Sequence, residues 1–155
     1  KMDMATILDQ NAVRVTAGAS SKKRLLQDIS DQAESVYGIK SEDTFLALQA
    51  RENLGTTGVG RGVAIPHARF ETLDRIVGLF FRLDKPVNYD SLDKQPVDLI
   101  FTLLAPANDS PEHLKALALV SRTLRNEAVC TKLRANSQVQ TVFSILAETT
   151  TSQAA

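Results

Sequence analysis

The stretch of residues 76–104, IVGLFFRLDKPVNYDSLDKQPVDLIFTLL, decides the fold of this chain. Its two ends, residues 76–83 and 97–104, are nearly continuous apolar runs, which are typical of strands that are buried on both faces of a sheet. The intervening segment 84–96 is polar and contains Pro86, so we expect it to be a connection between the two strands. Two such strands require other elements to cover both faces of their sheet.

Helical patterns occur before this stretch. Ser20 or Ser21 is a suitable N-cap for a helix whose apolar residues recur at helical spacing, and Gly38 stands where that helix would end in a left-handed residue. Ser41 is predicted to cap a second helix, which Gly55 would stop. The segment 5–15 is mixed, and it allows either short strands or an irregular arm.

Further helices are predicted after the second apolar strand. Ser110 is expected to cap a third long helix with Pro111 at its first position, and shorter helices should open near Asn126 and Ser137. The tail 149–155 is small and polar, so we expect it to fray. The whole pattern predicts an α/β fold with helices on both faces of a central sheet, in a single domain over 1–155 with a core of about 8–147.

Composition excludes several classes of protein. Lys plus Arg and Asp plus Glu each number 18 in 155 residues, so the formal net charge is zero, which argues against a nucleic-acid binder. The single cysteine, Cys130, excludes a disulfide framework and is expected to be a buried apolar residue. Neither a run of about 18 apolar residues nor a secretory signal is present, so a cytoplasmic location is expected.

The segment 54–67, LGTTGVGRGVAIPH, contains the most unusual local sequence. Glycines at 55, 58, 60 and 62 favour a permissive loop in which the backbone can approach another group closely, and they disfavour a helix or an ordinary strand. The next residues, 63–65, form a short apolar run that should be a strand ending at Pro66. His67 would then point to solvent from a rigid base.

Three side chains are candidates for chemistry. His67 could be a covalent catalyst, because a neutral imidazole is nucleophilic near neutral pH, or simply a histidine that is hydrogen-bonded at a sheet edge. His113 would occupy the third position of a helix, where unpaired N–H groups attract an anion, although such a residue is usually only solvated. Arg51 could bind phosphate oxygens with its guanidinium group, or it could be an ordinary surface residue.

The sequence lacks the patterns that are typical of nucleotide-binding, metal and serine-hydrolase sites. No Gly-Lys-Ser/Thr follows the glycines, so they are not a nucleotide-binding P-loop. The two histidines and scattered carboxylates lack the spacing of metal ligands, and no Gly-x-Ser-x-Gly elbow is present. We therefore expect neither a cofactor nor a metal.

The segment 54–67 resembles the active-site signature of phosphotransferase-system IIA domains of the fructose/mannitol class, and it is most similar to the nitrogen-regulatory IIA proteins. The resemblance continues through residues 88–99 and 106–114, and it covers roughly 8–146. It implies a mixed central β-sheet flanked by helices on both faces. It also implies that His67 is the phosphorylated residue, that His113 and Arg51 support it, and that Gly58, Gly60 and Gly62 form a phosphate loop.

The same resemblance implies partners. The donor would be a phosphocarrier protein of the HPr or NPr type, and the outputs would be regulatory targets such as a transporter or a sensor kinase. The alternative is the IIA component of a sugar permease, which would pass the phosphoryl group to a IIB protein. Because no transporter or IIB segment is attached, the regulatory role is favoured.

Two details bear on partner choice. Relatives often have Gly and Lys after the phosphorylated histidine, whereas Ala68 and Arg69 stand here. A shallow apolar docking rim around the histidine is predicted from four residues: Val59, Val63, Phe70 and Leu73.

Overall fold

The two apolar runs lie side by side at the centre of a six-stranded sheet in the computed structural model, which describes residues 2–108 and 110–154. In chain order the elements are α1 (Met4–Ile7), β1 (Leu8–Thr16), α2 (Lys22–Tyr37), α3 (Ser41–Asn53), β2 (Gly58–Gly60), β3 (Val63–Ala64), β4 (His67–Phe70), β5 (Val77–Val87), β6 (Val97–Pro106), α4 (Glu112–Leu124), α5 (Glu127–Ala135) and α6 (Val139–Ala154).

The sheet is mixed, as predicted. Its order is β1-β5-β6-β3-β2, and β4 pairs with β6 beyond the end of β3. The central pair β5 and β6 is antiparallel, whereas β1 is parallel to β5 and both β3 and β4 are parallel to β6. The register places Phe80 opposite Phe101 at the centre of the core.

Helices cover both faces of this sheet, which confirms the predicted architecture. Side chains are buried without alternation along most of β5 and almost all of β6, so neither face of these strands meets solvent there. One group of helices consists of α2 packed on α3, and the other consists of α4, α5 and α6 packed on one another. Within the described ranges, no helix has both the length and the apolar character needed to cross a membrane.

The segment around His67 is a broken strand that runs along β6. Val63 lies opposite Leu99, and His67 lies opposite Leu103 further along the same partner strand. Pro66 has no N–H to donate, but its carbonyl accepts a bond of 3.0 Å from the amide of Leu103. His67 therefore begins a second strand after the break, and the prediction that it follows the end of a strand was incomplete.

The glycine-rich segment is more regular than predicted. It forms a β-hairpin of β2 and β3, not an irregular loop. The turn of this hairpin has left-handed backbone at three successive residues. Gly60, Arg61 and Gly62 have φ angles of 108°, 58° and 79°. Glycine adopts such angles without steric cost, so two of the glycines serve to close the hairpin.

The ends of α2 agree with the sequence, whereas the start of α3 does not. The Ser21 hydroxyl accepts a bond from the amide of Arg24, and Gly38 ends α2 in the left-handed conformation. At α3, Lys40 occupies the N-cap without a side-chain bond, and Ser41 is already helical. The Ser41 hydroxyl instead donates to Asp31 at 2.6 Å.

The start of α4 is shifted by one residue from the predicted position. Pro111 occupies the N-cap and Glu112 is the first helical residue, while the Ser110 hydroxyl accepts a 3.2 Å bond from the Glu112 amide. Ser110 thus still satisfies one of the unpaired amides of the first turn.

Four other predictions concerned the N-terminal segment, the connection before β6, the single cysteine and the tail. The ambiguous segment 5–15 contains most of α1 and β1, and β5 continues to Val87 because that residue pairs with Val97. Cys130 is buried, as expected, and its thiol donates to the carbonyl of Leu124. The prediction that the tail 149–155 frays was wrong for residues up to 154, because α6 continues to Ala154, and residue 155 lies outside the described residues.

Candidate active site

Three elements, α3, β4 and α4, enclose an open cavity of about 490 Å³ at the edge of the sheet. The cavity brings together His67, His113 and Arg51, which the sequence had placed 62 residues apart from first to last. Its full lining consists of Ala47, Ala50, Arg51, Leu54, His67, Ala68, Arg69, His113, Leu114 and Leu117.

The His67 ring is held by one hydrogen bond on each nitrogen. Nδ1 lies 2.9 Å from the carbonyl oxygen of Ile65, which can only accept, so Nδ1 carries the proton. Nε2 accepts a bond of 3.3 Å from Nε of Arg51, which can only donate. The neutral ring is therefore fixed in the Nδ1–H tautomer, and its lone pair is on Nε2.

The surroundings also keep His67 uncharged. Burial lowers the pKa of His67 below its usual value, and the positive charges of Arg51 and Arg69 lower it further, against the opposing effects of the Ile65 carbonyl and of Glu52. A histidine with a lowered pKa is mainly neutral at pH 7. The site thus holds a nucleophilic ring nitrogen next to two cations.

His113 faces the same cavity from the first turn of α4. It is only 7% exposed, and its ring lies 5.8 Å from that of His67 in an edge-on arrangement. Its Nδ1 accepts a 2.8 Å bond from Nε of Arg69, and its Nε2 has no hydrogen-bond partner among the described residues. Burial lowers the pKa of His113, and the charges of Arg69 and His67 act in the same direction.

Arg51 is held at the C-terminal end of α3. Besides its bond to His67, it donates from Nη1 to the carbonyl of Gly55 at 2.9 Å. That carbonyl lies beyond the helix end, so the guanidinium group links the start of the glycine-rich segment to the histidine.

Glu52, the next residue, points the other way. Its buried carboxylate accepts a 3.0 Å bond from the Thr57 amide and another from the Thr57 hydroxyl. Lys22 pairs with the same carboxylate at 2.9 Å, and the Tyr89 hydroxyl lies 3.0 Å from the Thr57 hydroxyl. This buried network fixes the chain directly after Arg51, and nothing in the local sequence distinguished the inward carboxylate from its exposed neighbours.

The three glycines of the predicted phosphate loop do not line the cavity at His67. A Cβ atom at Gly58 would lie 2.5 Å from the Ser91 hydroxyl, and one at Gly62 would lie 2.6 Å from Nη2 of Arg134. Gly60 lies against Asp93, whose carboxylate also accepts a bond from the Arg61 amide. Close packing accounts for these glycines, and the prediction that they cradle phosphate has no support from their position.

The predicted docking rim was largely wrong. Val63 and Phe70 are core residues, with 3% and 8% exposure, and Val59 lines a separate cavity on the β2–β3 side. The large exposed apolar residues at the His67 cavity are Leu54 and Leu114, which are 84% and 67% exposed. Leu54 follows a helix end and Leu114 stands in a first turn, where helical periodicity does not reveal which way a side chain points.

Comparison with known proteins identifies the family. The model of the phosphoenolpyruvate-dependent sugar phosphotransferase system EIIA 2 family matches residues 6–149. The chain belongs to this EIIA type-2 family.

Relatives match this EIIA type-2 domain along nearly their whole length. A nitrogen regulatory protein of Bradyrhizobium diazoefficiens is 43% identical over 146 residues, which cover 94% of this chain and 95% of that protein. The crystal structure of nitrogen regulatory protein IIA-Ntr from Neisseria meningitidis has a TM-score of 0.86 and 36% identity, and the match covers 92% of this chain and 98% of that one. A fructose-specific EIIA component of Haloferax volcanii is 33% identical, with 94% and 96% coverage.

Proposed function

We propose that this EIIA type-2 domain accepts a phosphoryl group on Nε2 of His67 from a phosphohistidine carrier protein of the HPr or NPr type. The observation that carries the proposal is the pair of hydrogen bonds that hold the His67 ring. The Ile65 carbonyl accepts a hydrogen bond from Nδ1–H, so the lone pair is on Nε2, where it accepts a bond from Arg51 at the open cavity.

The proposed step is an in-line displacement at phosphorus. The Nε2 lone pair of His67 forms a new P–N bond while the P–N bond of the donor breaks, and its electron pair returns to the donor ring, which is protonated on its other nitrogen and so leaves as neutral imidazole. His67 keeps its proton on Nδ1 and becomes the protonated phosphohistidine, so no base is required. Arg51 shifts its N–H from the ring nitrogen to the phosphoryl oxygens, where a cation stabilises the developing charge.

Positioning accounts for most of the catalysis in this proposal. The broken strand at Pro66 and the bond to Ile65 fix the ring, and the two arginines are already in place before the donor arrives. The donor P–N bond is already activated, so the step requires neither nucleotide nor metal.

The output of the reaction is proposed to be regulatory. Nitrogen regulatory proteins are among the relatives of highest identity, and a phosphoryl group adds nearly two negative charges to a surface that carries exposed leucines. Such a change can decide whether a transporter, sensor kinase or other target binds that surface. The protein would act in the cytoplasm, where such targets expose their regulatory segments.

A second candidate function is supported by the fructose-specific relative. In that case the domain would be the IIA component of a sugar permease and would pass the phosphoryl group to a IIB protein. Transfer of label from His67 to a IIB protein from the same genome would favour this second function over the regulatory one.

The acceptor assignment is tested by phosphoryl labelling. The protein is incubated with phosphoenolpyruvate, the upstream enzyme and a phosphocarrier protein, and intact mass and acid lability are measured. We expect one acid-labile phosphoryl group on the wild type and none on His67→Ala. A His113→Ala protein should still be labelled, more slowly. Undiminished label on His67→Ala would contradict the proposal.

A further inference from the structure

Arg69 occupies a position from which it can act on the active site without touching the reacting atoms. Side chains two residues apart in a strand point to the same face. Within β4, Ala68 and Phe70 are buried on one side, so His67 and Arg69 share the other side, which faces the cavity.

The bond from Arg69 to His113 determines where the proton of His113 lies. Nε of Arg69 is 2.8 Å from Nδ1 of His113. A guanidinium group has only donors and does not lose its proton in proteins, so Nδ1 must be the acceptor. A neutral His113 therefore carries its proton on Nε2.

This proton has no partner among the described residues. Nε2 of His113 is buried and makes no hydrogen bond. Buried donors in native proteins are rarely left unpaired, and an exception calls for a reason such as a missing ligand group. The ring of His67, the proposed acceptor, lies 5.8 Å away, and both rings line the same open cavity.

The two histidines are thus held in opposite tautomers. The Ile65 carbonyl and Arg51 leave His67 with a lone pair on Nε2, whereas Arg69 leaves His113 with a proton on Nε2. One ring can attack phosphorus, and the other can donate a hydrogen bond to a phosphoryl oxygen.

We propose that Arg69 is a positioning residue that locks His113 in the Nε2–H tautomer, so that His113 donates to the phosphoryl group as it arrives on His67. This inference rests on the proposed function, because it assigns a purpose to the tautomer in phosphoryl transfer. Arg69 is one of the two residues at which this chain departs from the Gly-Lys that often follows the histidine in relatives.

The tautomer is tested on the unphosphorylated protein by long-range 15N–1H NMR correlation of the imidazole rings. In the wild type we expect Nε2–H for His113 and Nδ1–H for His67. Arg69→Met, which keeps much of the side-chain length but removes the donor, should give a tautomer mixture at His113 and leave His67 unchanged. Arg69→Lys restores a donor-only cation and should recover the single tautomer.

The consequence for transfer is measured with phosphoramidate, a small phosphoryl donor that needs no docking surface. Arg69→Met should be phosphorylated roughly tenfold more slowly, the loss expected for one hydrogen bond to a charged group. Arg69→Lys should recover most of the rate. Arg24→Met is the matched control, because Arg24 pairs with Asp28 on the solvent-facing side of α2 and does not line the cavity.

Two results would overturn the inference: a single Nε2–H tautomer that persists in Arg69→Met, or a mixed tautomer with an unchanged transfer rate. A wild-type protein that accepts no phosphoryl group would instead overturn the proposed function. Because the tautomer is measured without any phosphoryl donor, the two failures are distinguishable.

Discussion

At His67, burial and two guanidinium groups all favour the neutral ring, and this has a consequence for pH dependence. Attack on phosphorus requires the neutral form, and the pKa of His67 is lowered first by burial and then by Arg51 and Arg69. We therefore expect the rate of phosphorylation by phosphoramidate to stay on its plateau as the pH falls through 6.5, the ordinary value for histidine, and to decline only in more acid solution.

Arg51→Met tests the sign of this effect. Removal of a positive charge stabilises the protonated ring, so the pKa of His67 should rise and the acid limb of the normalised pH–rate profile should move to higher pH. An NMR titration of the His67 ring gives the same quantity without catalysis. A midpoint that stays in place or moves to lower pH in Arg51→Met would contradict the electrostatic account, whereas Arg24→Met should leave it unchanged.

The same residues show what a sequence can reveal about a site. His67 could be found because Pro66 and the glycine-rich segment precede it, and its neighbours made a family resemblance visible. The bond between Arg69 and His113 joins positions 44 residues apart, so it depends on how β4 and α4 meet in the fold. An arginine that is exposed in a short strand gives no local signal of such a role.

For the β2–β3 hairpin, the decisive constraint is space beside Ser91. A Cβ atom at Gly58 would lie 2.5 Å from the Ser91 hydroxyl and 3.0 Å from its Cα, so backbone as well as side chain must move. We expect Gly58→Ala to lower the free energy of unfolding by about 1–3 kcal/mol, the usual cost of overpacking. Urea denaturation measures this quantity.

Ser91→Gly is the partner variant for a double-mutant cycle. It removes the hydroxyl and Cβ that the new methyl group would meet, while the contact with the Cα of residue 91 remains. The double variant should therefore recover part of the loss, with a coupling energy that is clearly different from zero. Strict additivity of the two changes would show that the clash is not the cause.

For the individual elements, the pattern of apolar residues predicted the long strands correctly and failed where the backbone is short or irregular. Residues 76–83 and 97–104 were correctly predicted as buried strands, because continuous apolar runs have few other places in a fold. The hairpin was missed because its strands are only a few residues long and rich in glycine, and pairing with β6 is what makes them extended. Ser41 looked like an N-cap, but a partner on α2, Asp31, holds its hydroxyl.

Across the whole molecule, the core can be predicted from sequence more readily than the surface around the His67 cavity. The core forms wherever apolar faces of helices and strands can be buried against one another. An α/β sheet with helices on both faces could therefore be predicted from the order of helical and strand patterns in the sequence. The cavity is lined by residues of α3, β4 and α4 at the sheet edge, and which leucines remain exposed there depends on the exact ends of those helices. This explains why Leu54 and Leu114 border the cavity, whereas none of the four residues of the predicted rim (Val59, Val63, Phe70 and Leu73) lines it.

Variants of these two leucines can distinguish binding of the carrier protein from the phosphoryl-transfer step itself. Exposed apolar side chains beside His67 are expected to be buried against the carrier protein, and burial of one such side chain contributes about 1.5–3 kcal/mol. Leu54→Ser and Leu114→Ser should therefore each slow phosphorylation by the phosphorylated carrier roughly tenfold or more, while phosphoramidate, which needs no interface, should react at the wild-type rate. Leu92→Ser is the matched control, since Leu92 is 74% exposed but does not line the cavity. Equal slowing by Leu92→Ser, or a parallel loss with phosphoramidate, would show that these leucines do not form the docking surface.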